Sequence, residues 1–146
     1  MADFPISYDP ASNTITLDGP GGATIMLGLL LKAKFGEAYD PLVLFHEPVA
    51  QLMVSLRERA ALPPDRGCAP FAPEVLHAVA ERILDESPHL NWWTLSDLEQ
   101  RSYIRDVVAA PHAISDDEIE AILDGVQAGL ARRRESVAAA DKAKTP

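Results

Sequence analysis

A single cysteine, Cys68, excludes an internal disulfide, and its lone thiol suits a reducing compartment. Long apolar runs are also missing. The longest, Ala23 to Leu31, falls far short of the roughly 20 residues that a bilayer-spanning helix needs, so no membrane anchor is expected. The residues before it include Asp3, Asp9 and Asp18 and no Lys or Arg, the reverse of the basic segment that opens a signal peptide. A cytoplasmic location is the expectation. Positive charge is scarce too: 13 Lys plus Arg stand against 22 Asp plus Glu, a formal net charge of -9. That balance disfavours direct attraction to a nucleic-acid backbone and favours basic protein partners. Aromatics make up only 6% of the chain, and both tryptophans fall in one connection, Asn91-Trp92-Trp93-Thr94-Leu95. The helices on either side of it are expected to be fixed against each other there.

What is present is ordinary for a globular chain, with 47% hydrophobic and 24% charged residues in a length of 146. That length suffices for one core without staples. We expect a single globular domain over residues 1–135 and a frayed or disordered tail over 136–146, where Ala, Lys and Asp dominate. No repeated unit is visible.

Alternation at Ile6 and Tyr8, then at Ile15 and Leu17, predicts half-buried strands joined in a hairpin around Asp9-Pro10-Ala11-Ser12-Asn13. Residues 23–31 fit either a third strand or a buried helix. A helix over about 23–35 is preferred, because Lys32 and Lys34 suit a last turn and Gly36 the position beyond it. Pro41 to Phe45 reads as extended. Glu47-Pro48 opens a helix to about residue 61 with Val49, Leu52, Met53, Leu56 and Ala60 on one face. Five prolines and glycines make 62–73 a loop within the domain. Helices follow over Glu74 to Asp85, with an apolar stripe from Val75 to Leu84, and over 95–109, with apolar residues on several sides and a cap at Thr94 and Asp97. Pro111 ends the latter, and Ser115 with Glu118 has capping-box spacing for a final helix buried along Ile119, Ile122, Leu123, Val126 and Leu130. The fold class is therefore α+β, mainly α: an N-terminal β-hairpin packed on a bundle of about five helices.

Chemical motifs are incomplete. Gly19-Pro20-Gly21-Gly22-Ala23-Thr24 lacks the Gly-Lys-Ser/Thr ending of a phosphate-binding loop and reads as a turn. His46-Glu47 resembles the opening of a zinc-protease motif, but Ala50 stands where the second histidine belongs. His77 and Glu81 share a helical face, yet two ligands do not close a site, and His89 and His112 lie in other segments. These histidines are read as capping or packing at helix ends. No local signature makes Cys68 a nucleophile. A helix-turn-helix is disfavoured by the nine-residue connection after Asp85 and by Asp97, Glu99 and Asp106 on the second helix. Arg132-Arg133-Arg134 is taken to oppose the dipole in the last turns of the final helix. No metal and no cofactor are expected. One feature does cost local stability: Asp116, Glu120 and Asp124 repeat at i, i+4 on the final helix, each like-charge pair costing about 0.2–0.5 kcal/mol.

Residues 72–109, with Trp92-Trp93-Thr94-Leu95 opening a helix that carries Arg101 and Tyr103, resemble a helical module of small uncharacterised bacterial and phage proteins. Trp92 and Leu95 keep its spacing, whereas Arg101 departs by one position. The resemblance implies helical structure and a phage or mobile-element origin, and it implies no chemistry. The expected function is therefore a non-enzymatic protein-binding domain, an adaptor or inhibitor that presents Asp116, Glu120 and Asp124 to a basic protein partner. The alternatives are a small hydrolase or ligand-binding protein using His46 and Glu47, with or without His77, and a structural component that assembles with itself.

Overall fold

Prolines and glycines set several element ends among the described residues. The structure, a computed structural model, describes residues 6–36, 39–60 and 71–144. Strand β1 (Ile6–Asp9) pairs antiparallel with β2 (Thr14–Leu17), Ile6 opposite Leu17 and Tyr8 opposite Ile15. The turn is held by the Asp9 carboxylate, which accepts from the Ala11 amide at 3.0 Å and the Ser12 hydroxyl at 2.8 Å, with Asn13 left-handed at φ 52. The alternation thus gives the expected hairpin and one apolar face. Half-burial holds at one end of that face, at the facing residues Ile6 and Leu17, the latter packed on a core, while Tyr8 and Ile15 at the other end are exposed.

Helix α1 (Gly19–Phe35) starts four residues earlier than expected, since Pro20 in its first turn forfeits an amide that would be unpaired anyway. It ends at Gly36 as foreseen, for a different reason. Gly36 has φ -72, and a Cβ there would lie 2.3 Å from the Lys32 carbonyl oxygen, so close approach requires the glycine. Residues Pro41–Phe45, expected to be extended, form the short helix α2, because the Asp40 carbonyl accepts from the Val43 and Leu44 amides at 3.0 Å and Leu44 is fully buried. Helix α3 (Glu47–Arg59) opens on Pro48 and buries Ala50, Met53 and Leu56, while Leu52, placed on the same stripe by the sequence, is exposed.

Helix α4 (Pro73–Leu90) runs five residues past its expected end and contains Pro88. Proline has no amide to give the Leu84 carbonyl, and the Ser87 hydroxyl donates to that carbonyl instead at 2.9 Å. Asn91, left-handed at φ 50, stops the helix. A 3₁₀ turn (Trp92–Thr94) follows, with Trp92 1% exposed and Trp93 46%. The expected cap at Thr94 and Asp97 is displaced by two residues. Thr94 donates back to the Asn91 carbonyl, and Ser96 and Glu99 form the reciprocal box: the Glu99 amide donates to the Ser96 hydroxyl at 3.1 Å, the Ser96 amide to the Glu99 carboxylate at 2.8 Å.

Helix α5 (Asp97–Tyr103) buries no residue, contrary to the expectation for 95–109, and Leu98 is 73% exposed. It continues as a π-helical turn (Ile104–Val108) in which the Ala109 amide donates to the Ile104 carbonyl five residues back, and there Ile104, Val107 and Val108 are buried. Helix α6 (Asp116–Lys144) begins with the predicted Ser115–Glu118 box, whose carboxylate also accepts the Phe71 amide at 2.5 Å. Burial tends to raise the Glu118 pKa, but the hydrogen bonds from Ser115 and Phe71 outweigh it and hold the carboxyl below its usual value. Residues 136–144, assigned to a tail in the sequence, continue this helix and are exposed.

The described residues group into two units. The first joins residues 6–60 to Tyr103–Ala113 around Ala23, Leu27, Met53 and Leu56, with Ala50, Val107 and Ala110 as a second cluster. The second joins 71–102 to 114–144, and in it α4 packs along α6. Their close approach is made by two glycines absent from the sequence reading. A Cβ at Gly125 would stand 3.0 Å from the Ala80 Cβ, and one at Gly129 would stand 2.5 Å from Leu84 Cδ1. The pairs advance together along both helices, so α4 and α6 are parallel. Among the described residues no helix is long and apolar enough to cross a membrane.

Two stability outcomes are expected. Trp92→Ala should cost about 3–5 kcal/mol in denaturant unfolding and Trp93→Ala under about 1; similar losses for both would contradict the assignment of Trp92 as the buried ring. Gly129→Leu should destabilise by about 1–3 kcal/mol despite its better helix propensity, because the side chain has to displace Leu84.

Candidate functional site

Four-residue spacing on a helix stacks side chains on one face, and Gly125 and Gly129 fix which face of α6 meets α4. Asp116, Glu120 and Asp124 are left on an exposed face. The ridge is not uncompensated, as the sequence suggested. Arg101, nineteen residues before Glu120, donates to it through Nη2 at 2.5 Å and to Asp97 through Nε at 2.9 Å. The two carboxylates, Asp97 first, hold the guanidinium pKa above its ordinary value. Arg101 thereby sets Asp97 of α5 beside the ridge.

The arginine triplet is not in the last turns of α6, which runs ten residues further. Arg132 reaches Glu81 at 3.1 Å, and Arg133 reaches Glu81 at 2.9 Å and Asp85 at 2.8 Å. These pairs, the Arg133 hydrogen bond foremost, lower the Glu81 pKa. Glu81 is therefore engaged with arginines rather than with His77, which is exposed. Arg134 is exposed on another side of the helix.

The remaining candidates lie on separate elements. His46 occupies the N-cap position of α3 without a side-chain cap bond, and Glu47 accepts from Gln51 at 3.3 Å. His46 belongs to the first unit and His77 to the second. His89 is exposed in the last turn of α4, and Cys68 lies outside the described residues. Among the described residues no three His, Cys, Asp or Glu are grouped to hold a metal ion. The glycine-rich segment from Gly19 forms the first turn of α1, where the Thr24 hydroxyl donates to the Pro20 carbonyl at 2.8 Å.

The residue most in need of explanation was read in the sequence only as a last-turn cation. Lys34 is 0% exposed. Its Nζ donates to the Val107 carbonyl at 2.5 Å and to the Ala110 carbonyl, and lies 5.5 Å from the Phe35 ring. Nearby, Arg57 donates to the Pro111 carbonyl and the His112 ring stacks on Phe35 at 5.6 Å. These bonds satisfy carbonyls where the helix ends beyond the π turn, which α helices commonly leave open. Burial pushes the Lys34 amine down to about 7, and burial with Arg57 and Lys34 nearby lowers His112. Tyr103 donates to the Phe45 carbonyl at 2.7 Å, and burial followed by the Glu47 charge pushes its hydroxyl up to about 12. An amine poised near neutrality is a chemical resource in many sites. Here it has no exposed atom, so in this conformation it ties backbone rather than meeting a substrate. The sequence carried no signal for this burial: Lys32, two residues earlier in the same helical turn, is exposed, and no local pattern separates the two lysines.

Comparison of the chain with protein-family models, curated proteins and solved structures finds no match. The exposed face of α6 is therefore judged on its own geometry.

Lys34 generates a pH signature. Its folded value lies below the unfolded one, so between about pH 7 and 10 the unfolded chain binds more protons and stability rises with pH. The rise should be on the order of a few kcal/mol, read by urea unfolding between pH 6.5 and about 9, before tyrosines ionise appreciably. Lys34→Met should flatten that rise. An unchanged slope would assign it to other groups.

Proposed function

We propose that the chain is a non-enzymatic protein-binding module, an adaptor or inhibitor, that offers the exposed acidic face of α6 to a basic protein partner in the cytoplasm. The supporting observation is the alignment of Asp116, Glu120 and Asp124 on one exposed face of a helix whose opposite side is packed against α4. Arg101 ties Asp97 of α5 to Glu120, which steadies that carboxylate while offsetting part of the local charge, so the unoffset negative charge of the face rests on α6. Charge of one sign on a rigid helix accelerates encounter with an oppositely charged partner and selects against acidic ones. The net charge of -9 acts in the same direction.

Affinity capture from native extract tests this, using wild type and the combined Asp116→Lys, Glu120→Lys, Asp124→Lys variant, each shown to be helical by circular dichroism. Basic proteins held by wild type at low salt should be released as salt rises and should not be held by the variant. Equal capture by both would reduce the ridge to a solubility feature.

A further inference from the structure

One long helix of this acidic chain carries no acid. Among the long helices of the described residues, α3, α4 and α6 each include Asp or Glu, and α1 includes neither. From Gly19 to Leu31 no charge of either sign occurs. A helix that is apolar on every side is normally covered on every side. Helix α1 is covered on one, where Ala23 and Leu27 pack with Met53 and Leu56 of α3. On the opposite side Ile25 is 46% exposed and Leu29 57%. Helical geometry sets Gly21 and Gly28 on this same face, and a Cβ at Gly28 would meet nothing within 4 Å. Beyond the apolar stretch the face ends on charge, Asp18 before it and Lys32 after it, both exposed.

We infer that this face of α1 packs against the same face of a second copy of the chain, the two helices antiparallel with Ile25 against Ile25 on a two-fold axis. The face is symmetric about that residue. Gly21 and Leu29 stand four residues to either side of it, so each Leu29 falls where the second copy has only a glycine. Asp18 and Lys32 stand seven residues to either side, so each Asp18 meets a Lys32 of the second copy. A self-complementary patch of this kind closes as a two-fold dimer and does not propagate.

Charge decides in favour of a second copy. Two chains of net charge -9 repel unless they meet where carboxylates are absent, and the middle of α1 is such a place. Its two end charges are opposite in sign and unspent: among the described residues neither Asp18 nor Lys32 forms an ion pair, and Asp18 holds the N-cap position of α1 without a side-chain cap bond. The charges on neighbouring elements agree with the same reversal. Arg59 of α3 lies at the Asp18 end, lining a pocket with Pro20 and Ala23 on the far side of α1, and Asp40 lies at the Lys32 end, its amide donating to the Ala33 carbonyl at 2.8 Å. Antiparallel packing therefore opposes unlike ends, and parallel packing would oppose like ones. The apolar centre supplies the contact, and the end charges set its direction.

The inference stands apart from the reading of the α6 face, and either can fail alone. Sedimentation velocity of the full chain, from micromolar to about millimolar concentration, should show reversible dimerisation that strengthens as salt screens the repulsion between the two copies. Capture through the α6 ridge is expected to weaken with salt. Ile25→Lys should abolish the dimer, because it sets two ammonium groups together on the axis, while circular dichroism and the urea midpoint stay close to wild type at this exposed position. At low salt Asp18→Lys and Lys32→Asp should each weaken dimerisation several-fold, since each places like charges at both symmetric contacts, and an equimolar mixture of the two should associate as wild type does. Oxidation of Ile25→Cys in a Cys68→Ser background should give a covalent dimer, as a residue on the axis faces itself. A wild type that stays monomeric throughout, a dimer that Ile25→Lys leaves intact, or single reversals that mixing does not rescue would overturn the inference.

Discussion

The close approach of α4 and α6 at Ala80–Gly125 and Leu84–Gly129 is the constraint on which the functional reading depends. Glycine inside a helix costs roughly 1 kcal/mol relative to alanine. Two of them, one turn apart, let the second helix come close: an added Cβ would stand 3.0 Å from the Ala80 Cβ at Gly125 and would press on the ends of the Leu84 and Glu81 side chains at Gly129. Once that side of α6 is committed to α4, helical geometry decides the rest. Ile119, Ile122 and Val126 turn inward, Arg132 and Arg133 reach Glu81 and Asp85, and the ridge with Arg134 is left facing solvent. The same helix rotated by a quarter turn would bury carboxylates and expose isoleucines.

The first unit is organised by a polar contact of a different kind. Three side chains, Lys34, Arg57 and Tyr103, each end on a backbone carbonyl, and two of them hold the stretch from Val107 to Pro111. An irregular segment with a π turn has carbonyls that regular helix bonding does not use, and burying them unpaired would be costly. A long basic side chain solves this by supplying donors from a neighbouring helix. The cost appears as a depressed amine pKa, and for that reason the first unit is expected to answer to pH in a way that the second, whose charges lie near solvent, is not.

Much of this architecture could be read from the chain, and the failures share a cause. The hairpin, the end of α1 at Gly36, the start of α3 at Pro48 and the Ser115–Glu118 box are local signals, decided by neighbours in sequence. The short helix α2 was missed because an apolar run of five residues has no period, and its nucleus is a main-chain acceptor at Asp40. The Thr94 cap lost to Ser96 because both offer a hydroxyl three residues before a carboxylate, and spacing cannot rank them. Periodicity weighs apolar side chains and passes over Gly125 and Gly129, whose contribution is the absence of one. The exposed ridge was legible in full. Its partner Arg101 was not, since a separation of nineteen residues across a connection carries no pattern.

The orientation of α6 can be observed without any change to the protein. A nuclear Overhauser spectrum with assigned alanine and leucine methyls should show strong contacts from the Ala80 methyl to the Gly125 α-protons and from a Leu84 methyl to those of Gly129. Both contacts present would place the ridge on the open side of the helix as described. Their absence, with Ala80 or Leu84 instead close to Glu120, Asp124 or Gln127, would mean that α6 is rotated and that the acidic face is not the surface this protein presents.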